Sequence, residues 1–173
     1  FLGASNLTIN ASDAPNLSNV TDMSAMFQDA ISLNSNLNNW DTSNVTIMNR
    51  MFQGALTFNQ ALNNWDVSDV TNMDSMFRLA TSFNQSLNSW NTGSVSNIDQ
   101  MFRDAHSFNG DISNWNVSSV TTMSRTFESA SAFNKPIDSW NIINVTDMSY
   151  MFSGAQSFNQ ALNGWNTSNV TNM

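Results

Sequence analysis

The chain repeats itself every 25 residues, and that one property rules out an ordinary globule: whatever one unit does, its neighbours must do at a fixed offset. Trp recurs at Trp40, Trp65, Trp90, Trp115, Trp140 and Trp165. Phe recurs at Phe27, Phe52, Phe77, Phe102, Phe127 and Phe152, and Ala at Ala30, Ala55, Ala80, Ala105, Ala130 and Ala155. Val20, Val45, Val70, Val95, Val120, Val145 and Val170 mark the start of each unit. An Asn column, Asn34, Asn59, Asn84, Asn109, Asn134 and Asn159, is equally unbroken and reads as a structural ladder that serves turn backbones in its own and the next coil. The frame gives a divergent partial coil 1–19, full coils 20–44, 45–69, 70–94, 95–119, 120–144 and 145–169, and a truncated coil 170–173. Within the first stretch Phe1, Ala4 and Leu7 echo Phe27, Ala30 and Leu33 at an offset of 26. An extra residue, or a real divergence of the unit, is expected there.

Two periodicities alternate inside a unit. Val70, Met73, Met76, Phe77 and Ala80 fall on one arc at helical spacing, and the residue before each Val (Asn19, Asn44, Asp69, Ser94, Ser119, Asn144, Asn169) is a good helix N-cap. After the Ala, Phe83, Leu87 and Trp90 precede a β-branched residue two positions beyond the Trp in several coils (Val67, Val117, Ile142), which is strand period. These patterns predict an α/β fold: a leucine-rich-repeat-like solenoid whose coils each carry a short helix and a short parallel strand. Strands pack about 4.8 Å apart and helices about 8–10 Å, so a curved stack with a concave sheet is expected.

The unit V-T-x-M-x-x-M-F-x-x-A-x-x-F-N-x-x-L-x-x-W resembles the repeat of the BspA-like leucine-rich repeat surface proteins across essentially the whole chain. Departures are local: Ile98 and Thr126 replace Met, Leu33 replaces Phe, and Gly93 and Ile143 replace the usual Ser. The resemblance implies a non-catalytic solenoid, extracellular or on the cell surface, used in adhesion or protein interaction.

Composition narrows the function classes. Five Lys and Arg against thirteen Asp and Glu give a net charge of -8, which argues against nucleic acid as a partner. No Cys is present, so thiol nucleophiles and Cys-ligated metals are excluded. The single His, His106, falls in a variable column (Ile31, Leu56, Thr81, Ser131, Gln156), and the carboxylates show no pairing set by the period. No enzyme, cofactor or metal site is expected. No run is long enough to insert in a membrane and no leader opens the chain, whose first residue is Phe1, so it reads as a piece cut from a longer protein.

The residue after each Trp, Asp41, Asp66, Asn91, Asn116, Asn141 and Asn166, lies between two inward positions and is expected to project from a concave face. That column is the candidate binding stripe, for a protein or glycan on another surface. Further copies of the chain, stacked end to end into a filament, are the alternative partner. A third reading, ice binding, rests on the column Thr21, Thr46, Thr71, Ser96, Thr121, Thr146 and Thr171, placed in the first helical turn. Ten Asn-x-Ser/Thr sites are present, as expected in so Asn-rich a chain.

Overall fold

A computed structural model describes residues 1–11 and 13–173. Its coils stack at the expected offset, but they contain neither the helix nor the strand of the expected α/β solenoid. The described residues are turns, bends and extended links, with one bridging residue per coil. Those residues form a row of parallel bridges, Asp22 to Ile47, Asn72, Asn97, Thr122, Asp147 and Asn172. The bridges sit two residues after each Val, not at the Trp-x-Val step where the strand was expected.

The reason lies in where the backbone donors point. In the first full coil Met23, Ala25, Phe27 and Asp29 donate N–H groups to Ile47, Asn49, Met51 and Gln53 of the next coil, at 2.7–3.0 Å. The residues between them turn back on their own coil: Met26, Gln28 and Ala30 donate to Met23, Ala25 and Phe27, at 3.1–3.2 Å. An α-helix would have spent all these donors on the residue four earlier. Alternating left-handed residues enforce the other pattern. Two columns hold positive φ, at Ala25, Arg50, Ser75, Gln100, Arg125 and Tyr150 and at Asp29, Gly54, Leu79, Asp104, Ser129 and Gly154. Each non-glycine member sits at φ 54–60°, at a cost of about 1–2 kcal/mol that inter-coil bonding and packing must offset.

The helical spacing of the apolar positions thus arises from a chain of β-turns, which also returns side chains to one side every three or four residues. Met73, Met76, Phe77 and Ala80 are buried as the pattern requires. The proposed caps cap nothing. Instead Asn144 and Asn169 donate Nδ2–H to the carbonyls of Ser118 and Ile143, and the Ser119 hydroxyl to that of Gly93, all in the preceding coil.

The core is a set of stacked columns. Phe27, Phe52, Phe77, Phe102, Phe127 and Phe152 stack with centroids 5.5–5.8 Å apart. A second file, Phe58, Phe83, Phe108, Phe133 and Phe158, repeats at 5.7–6.0 Å. Within a coil the two files touch at 3.9–4.3 Å. Because the rings repeat at coil spacing, they slide into the offset stacking that aromatic quadrupoles favour. With no helix on one side and no strand on the other among the described residues, the helix–strand mismatch from which a curved stack with a concave sheet was expected has no basis.

The divergent first stretch obeys the offset of 26. Phe1 stacks on Phe27 at 5.6 Å, Gly3 takes φ 70° and donates to Gln28, and Ile9 N–H donates to Ser35 Oγ. From Leu17, whose carbonyl accepts Val20 N–H as that of Thr42 accepts Val45 N–H, the offset is 25. The extra residue therefore lies between Ile9 and Leu17, a stretch that includes Ser12, outside the described residues.

Candidate functional site

The surface divides into two flanks with different chemistry. The turn flank comprises residues 22–32 of the first full coil and their equivalents; the amide flank comprises residues 33–44 and theirs. The candidate stripe Asp41, Asp66, Asn91, Asn116, Asn141 and Asn166 lies on the amide flank and is exposed along its length. No strand carries it, so it does not project from a sheet. Each side-chain oxygen folds back to accept the backbone N–H two residues on, from Ser43, Ser68, Gly93, Ser118, Ile143 and Ser168, at 2.9–3.3 Å. This is an Asx-turn, repeated six times. Hydrogen bonds from the hydroxyl and N–H of Ser43 hold the Asp41 carboxyl below its ordinary value, and those of Ser68 do the same for Asp66.

The ladder Asn34, Asn59, Asn84, Asn109, Asn134 and Asn159 runs between coils. Each side-chain oxygen from Asn34 to Asn134 accepts the backbone N–H of the next member, at 2.7–3.0 Å. Gln60, Gln85 and Gln160 add a side-chain donor to the same oxygens. The indoles extend the linkage: Trp65, Trp90, Trp115, Trp140 and Trp165 donate Nε1–H to Leu37, Leu62, Leu87, Ile112 and Ile137 of the coil before, at 2.9–3.2 Å. The buried indoles of Trp65, Trp90, Trp115 and Trp140 are therefore both packed and hydrogen-bonded.

The Thr column lies on the parallel ladder, not in a helical turn. Thr46 N–H donates to Thr21 O at 2.8 Å and its hydroxyl donates to the same oxygen, a pattern that continues to Thr171. These hydroxyls are engaged within the coil stack.

The turn flank carries the side chains that the period leaves free. Four of the five cations are there, Arg50, Arg78, Arg103 and Arg125, with His106, the sole tyrosine Tyr150 and the exposed apolar residues Ile31 and Leu56. Arg103 and Arg125 converge on Glu128, both at 3.1 Å, and Arg125 also lies over the Tyr150 ring at 4.5 Å. Arg50 reaches only within 3.9 Å of Asp74, and Arg78 has no ion pair among the described residues. His106 Nδ1 lies 2.9 Å from the Ser129 carbonyl oxygen, so its ring serves a turn. Burial raises the Asp99 carboxyl above its ordinary value, against hydrogen bonds from the Thr122 hydroxyl and Ser124 N–H. Sequence reasoning singled out none of these arginines or apolar residues as a site. The signal was present as the columns that change identity from coil to coil.

Among the described residues no three His, Cys, Asp or Glu side chains gather as a metal site would require, and no helix is long and apolar enough to cross a membrane. No curated protein and no solved structure matches the chain. One family model does, that of the "Mycoplasma protein of unknown function, DUF285", over residues 1–109 and again over residues 86–173.

Proposed function

Because the chain belongs to the DUF285 family of repeat proteins, we propose that it is a non-catalytic, cell-surface binding protein that holds side chains in fixed register for contact with a protein or glycan on another surface. Family membership supports the surface location; the BspA-like resemblance of the repeat motif supports the adhesive role. One observation carries the binding role. The stack needs its buried columns and the polar bonds between coils, yet it leaves whole columns of outward side chains without a structural task. Arrays of that kind are the usual recognition surfaces of repeat proteins.

The test is attachment. Beads coated with the purified chain are expected to adhere to host-cell or matrix surfaces, or to features on a glycan array, well above beads coated with a heat-unfolded sample. Light scattering runs in parallel. Equal attachment of folded and unfolded samples would sink the reading, and so would concentration-dependent growth into filaments without any attachment, which would assign the chain to assembly.

A further inference from the structure

The coil stack does not treat the chain's ten Asn-x-Ser/Thr sequons alike. In Asn44-Val45-Thr46, Asn144-Val145-Thr146 and Asn169-Val170-Thr171 the Thr N–H and hydroxyl both donate to a carbonyl of the coil before, so neither turns to its own Asn. The side-chain amides of Asn144 and Asn169 are themselves spent on Ser118 O and Ile143 O. In Asn84-Gln85-Ser86 the Asn oxygen accepts Asn109 N–H, and the Ser hydroxyl donates to Asp111 O.

Three sequons instead close on themselves, among the described residues. The side-chain oxygens of Asn16, Asn116 and Asn166 accept the N–H of Ser18, Ser118 and Ser168 at 3.0–3.1 Å, and Asn116 Oδ1 also accepts the Ser118 hydroxyl at 2.7 Å. Asn16 thus repeats, in the divergent first stretch, the Asx-turn of the Asp41 column. All three Asn are exposed. With the oxygen turned inward, the Nδ2 group faces solvent and holds no other part of the fold. Hydrogen bonds donated to Oδ1 also stabilise the charge that gathers on that oxygen when an Nδ2 proton leaves, so the nitrogen is easier to deprotonate.

We propose that Asn16, Asn116 and Asn166 are the acceptor sites of this chain for N-linked sugar, attached by a sequon-directed glycosyltransferase from a phosphate-activated sugar donor. In the transfer Nδ2 bonds to the anomeric carbon, the bond from that carbon to the donor's phosphate breaks, and the displaced Nδ2 proton passes to a base of the transferase. The new bond is made at nitrogen, so the oxygen keeps its place in the turn. Asn91 and Asn141 form the same turn but have Gly93 and Ile143 where the hydroxyl is needed, and they are not acceptors. The sugars therefore stand on the amide flank and leave the turn flank bare. The proposal rests on the surface location given above and is independent of the adhesive role.

In the test, the folded 173-residue chain is incubated with UDP-glucose and a soluble N-glycosyltransferase that recognises Asn-x-Ser/Thr, and the occupied residues are located by peptide mass spectrometry. Occupancy at Asn16, Asn116 and Asn166 is expected to exceed that at Asn44, Asn84, Asn144 and Asn169 roughly tenfold, whereas short peptides spanning the same sequons should show no such ranking. Gly93→Ser and Ile143→Ser supply the missing hydroxyl and should each add an acceptor, at Asn91 and at Asn141. A serine fits at position 93, where a Cβ would meet only Asn116 Nδ2 and Asn91 Oδ1, both at 3.4 Å. Asn116→Asp keeps the turn oxygen, as Asp41 and Asp66 do, and should lose occupancy at 116 alone. Equal occupancy of Asn44 and Asn116 in the folded chain would overturn the proposal. So would an unmodified Asn116 in a folded chain whose Asn116 peptide is modified, the same ranking among the peptides, or no gain at Asn91 in Gly93→Ser. Beads carrying the unmodified chain test adhesion separately, so either reading can fail without the other.

Discussion

The two flanks solve one problem, joining each coil to the next, by different chemistry. On the turn flank backbone N–H groups meet backbone carbonyls coil after coil. On the amide flank, among the described residues, one backbone-to-backbone bond crosses between coils, from Leu87 N–H to Asp111 O. The other bonds between coils there use side chains: Asn oxygens accept backbone N–H groups, and indole N–H groups, side-chain amides and hydroxyls donate, among them Thr42 to Asp66 O and Thr92 to Asn116 O. The difference explains the sequence. A backbone bond does not specify the side chain above it, so turn-flank columns drift from Ala to Arg to Tyr. A side-chain bond requires its own residue type at every coil, which is why the chain holds 29 Asn and an unbroken Trp column.

The comparison breaks first at tryptophan. Trp115→Ala removes a buried ring from the Trp90–Trp140 stack and leaves the Leu87 carbonyl without its indole. A loss of about 3–5 kcal/mol is expected in denaturant unfolding. Trp115→Phe should recover part of it by refilling the core without restoring the bond. A loss below 1 kcal/mol for Trp115→Ala would mean that the indoles do not link the coils.

Asn59→Ala is the next largest. It strips the acceptor from Asn84 N–H and Gln85 Nε2, both at 2.9 Å, and is expected to cost about 1–2 kcal/mol. Asn59→Asp keeps an oxygen in place and should cost less. Equal losses for Ala and Asp would refute the acceptor role.

On the turn flank the expected sign reverses. Leu79 holds φ 60°, while Gly54 and Gly154 occupy the same column. Leu79→Gly should therefore stabilise by up to about 1 kcal/mol, because relief of the left-handed strain exceeds the entropy that glycine adds to the unfolded chain. A shift of the melting temperature downward would contradict the strain argument.

The smallest effect is a pH dependence of opposite sense on the two flanks. The raised Asp99 carboxyl is more easily protonated in the folded chain, so its charged form costs stability at neutral pH and that cost disappears as pH falls through the raised value. Asp66, held low by its Asx-turn, contributes stability that is complete above its ordinary value and lost as pH falls through the lowered one. Asp99→Asn should stabilise at pH 7 and do little at pH 4. Asp66→Asn should lose that small contribution at pH 7, flatten the fall at acid pH, and converge with the parent chain once both carboxyl states are protonated. Stability profiles from pH 2 to 8 check both.

Much of this architecture was legible in the residues. The 25-residue offset, the buried Phe, Met, Ala, Val and Trp columns, the Asn ladder and the extra residue near the start can each be read by aligning the chain with itself. The helix was not legible as absent. Val70, Met73, Met76, Phe77 and Ala80 have the spacing of a helical stripe whether the chain winds through successive i–4 bonds or through β-turns broken by left-handed residues. Nothing in the identities of Ser75, Leu79, Gln100 or Arg125 announces a positive φ, since glycine marks only Gly54 and Gly154 among the twelve positions of the two columns. The candidate stripe failed as a sheet face for the same reason. Its position after each Trp has the spacing of strand alternation, whereas its Asp and Asn oxygens are committed to turns.

By itself, then, the sequence determined which residues stack on which, because a strict repeat of apolar columns can bury itself only at its own period. Only the tertiary structure decided how the backbone runs between those columns. A lone unit has no neighbour to receive its outward N–H groups, and a helix is then the economical way to satisfy them; once coils stack, carbonyls of the next coil stand within 2.7–3.0 Å. Bonds across the stack replace bonds along the chain. The same exchange fixes which side chains are bound into the fold and which are free to meet a partner.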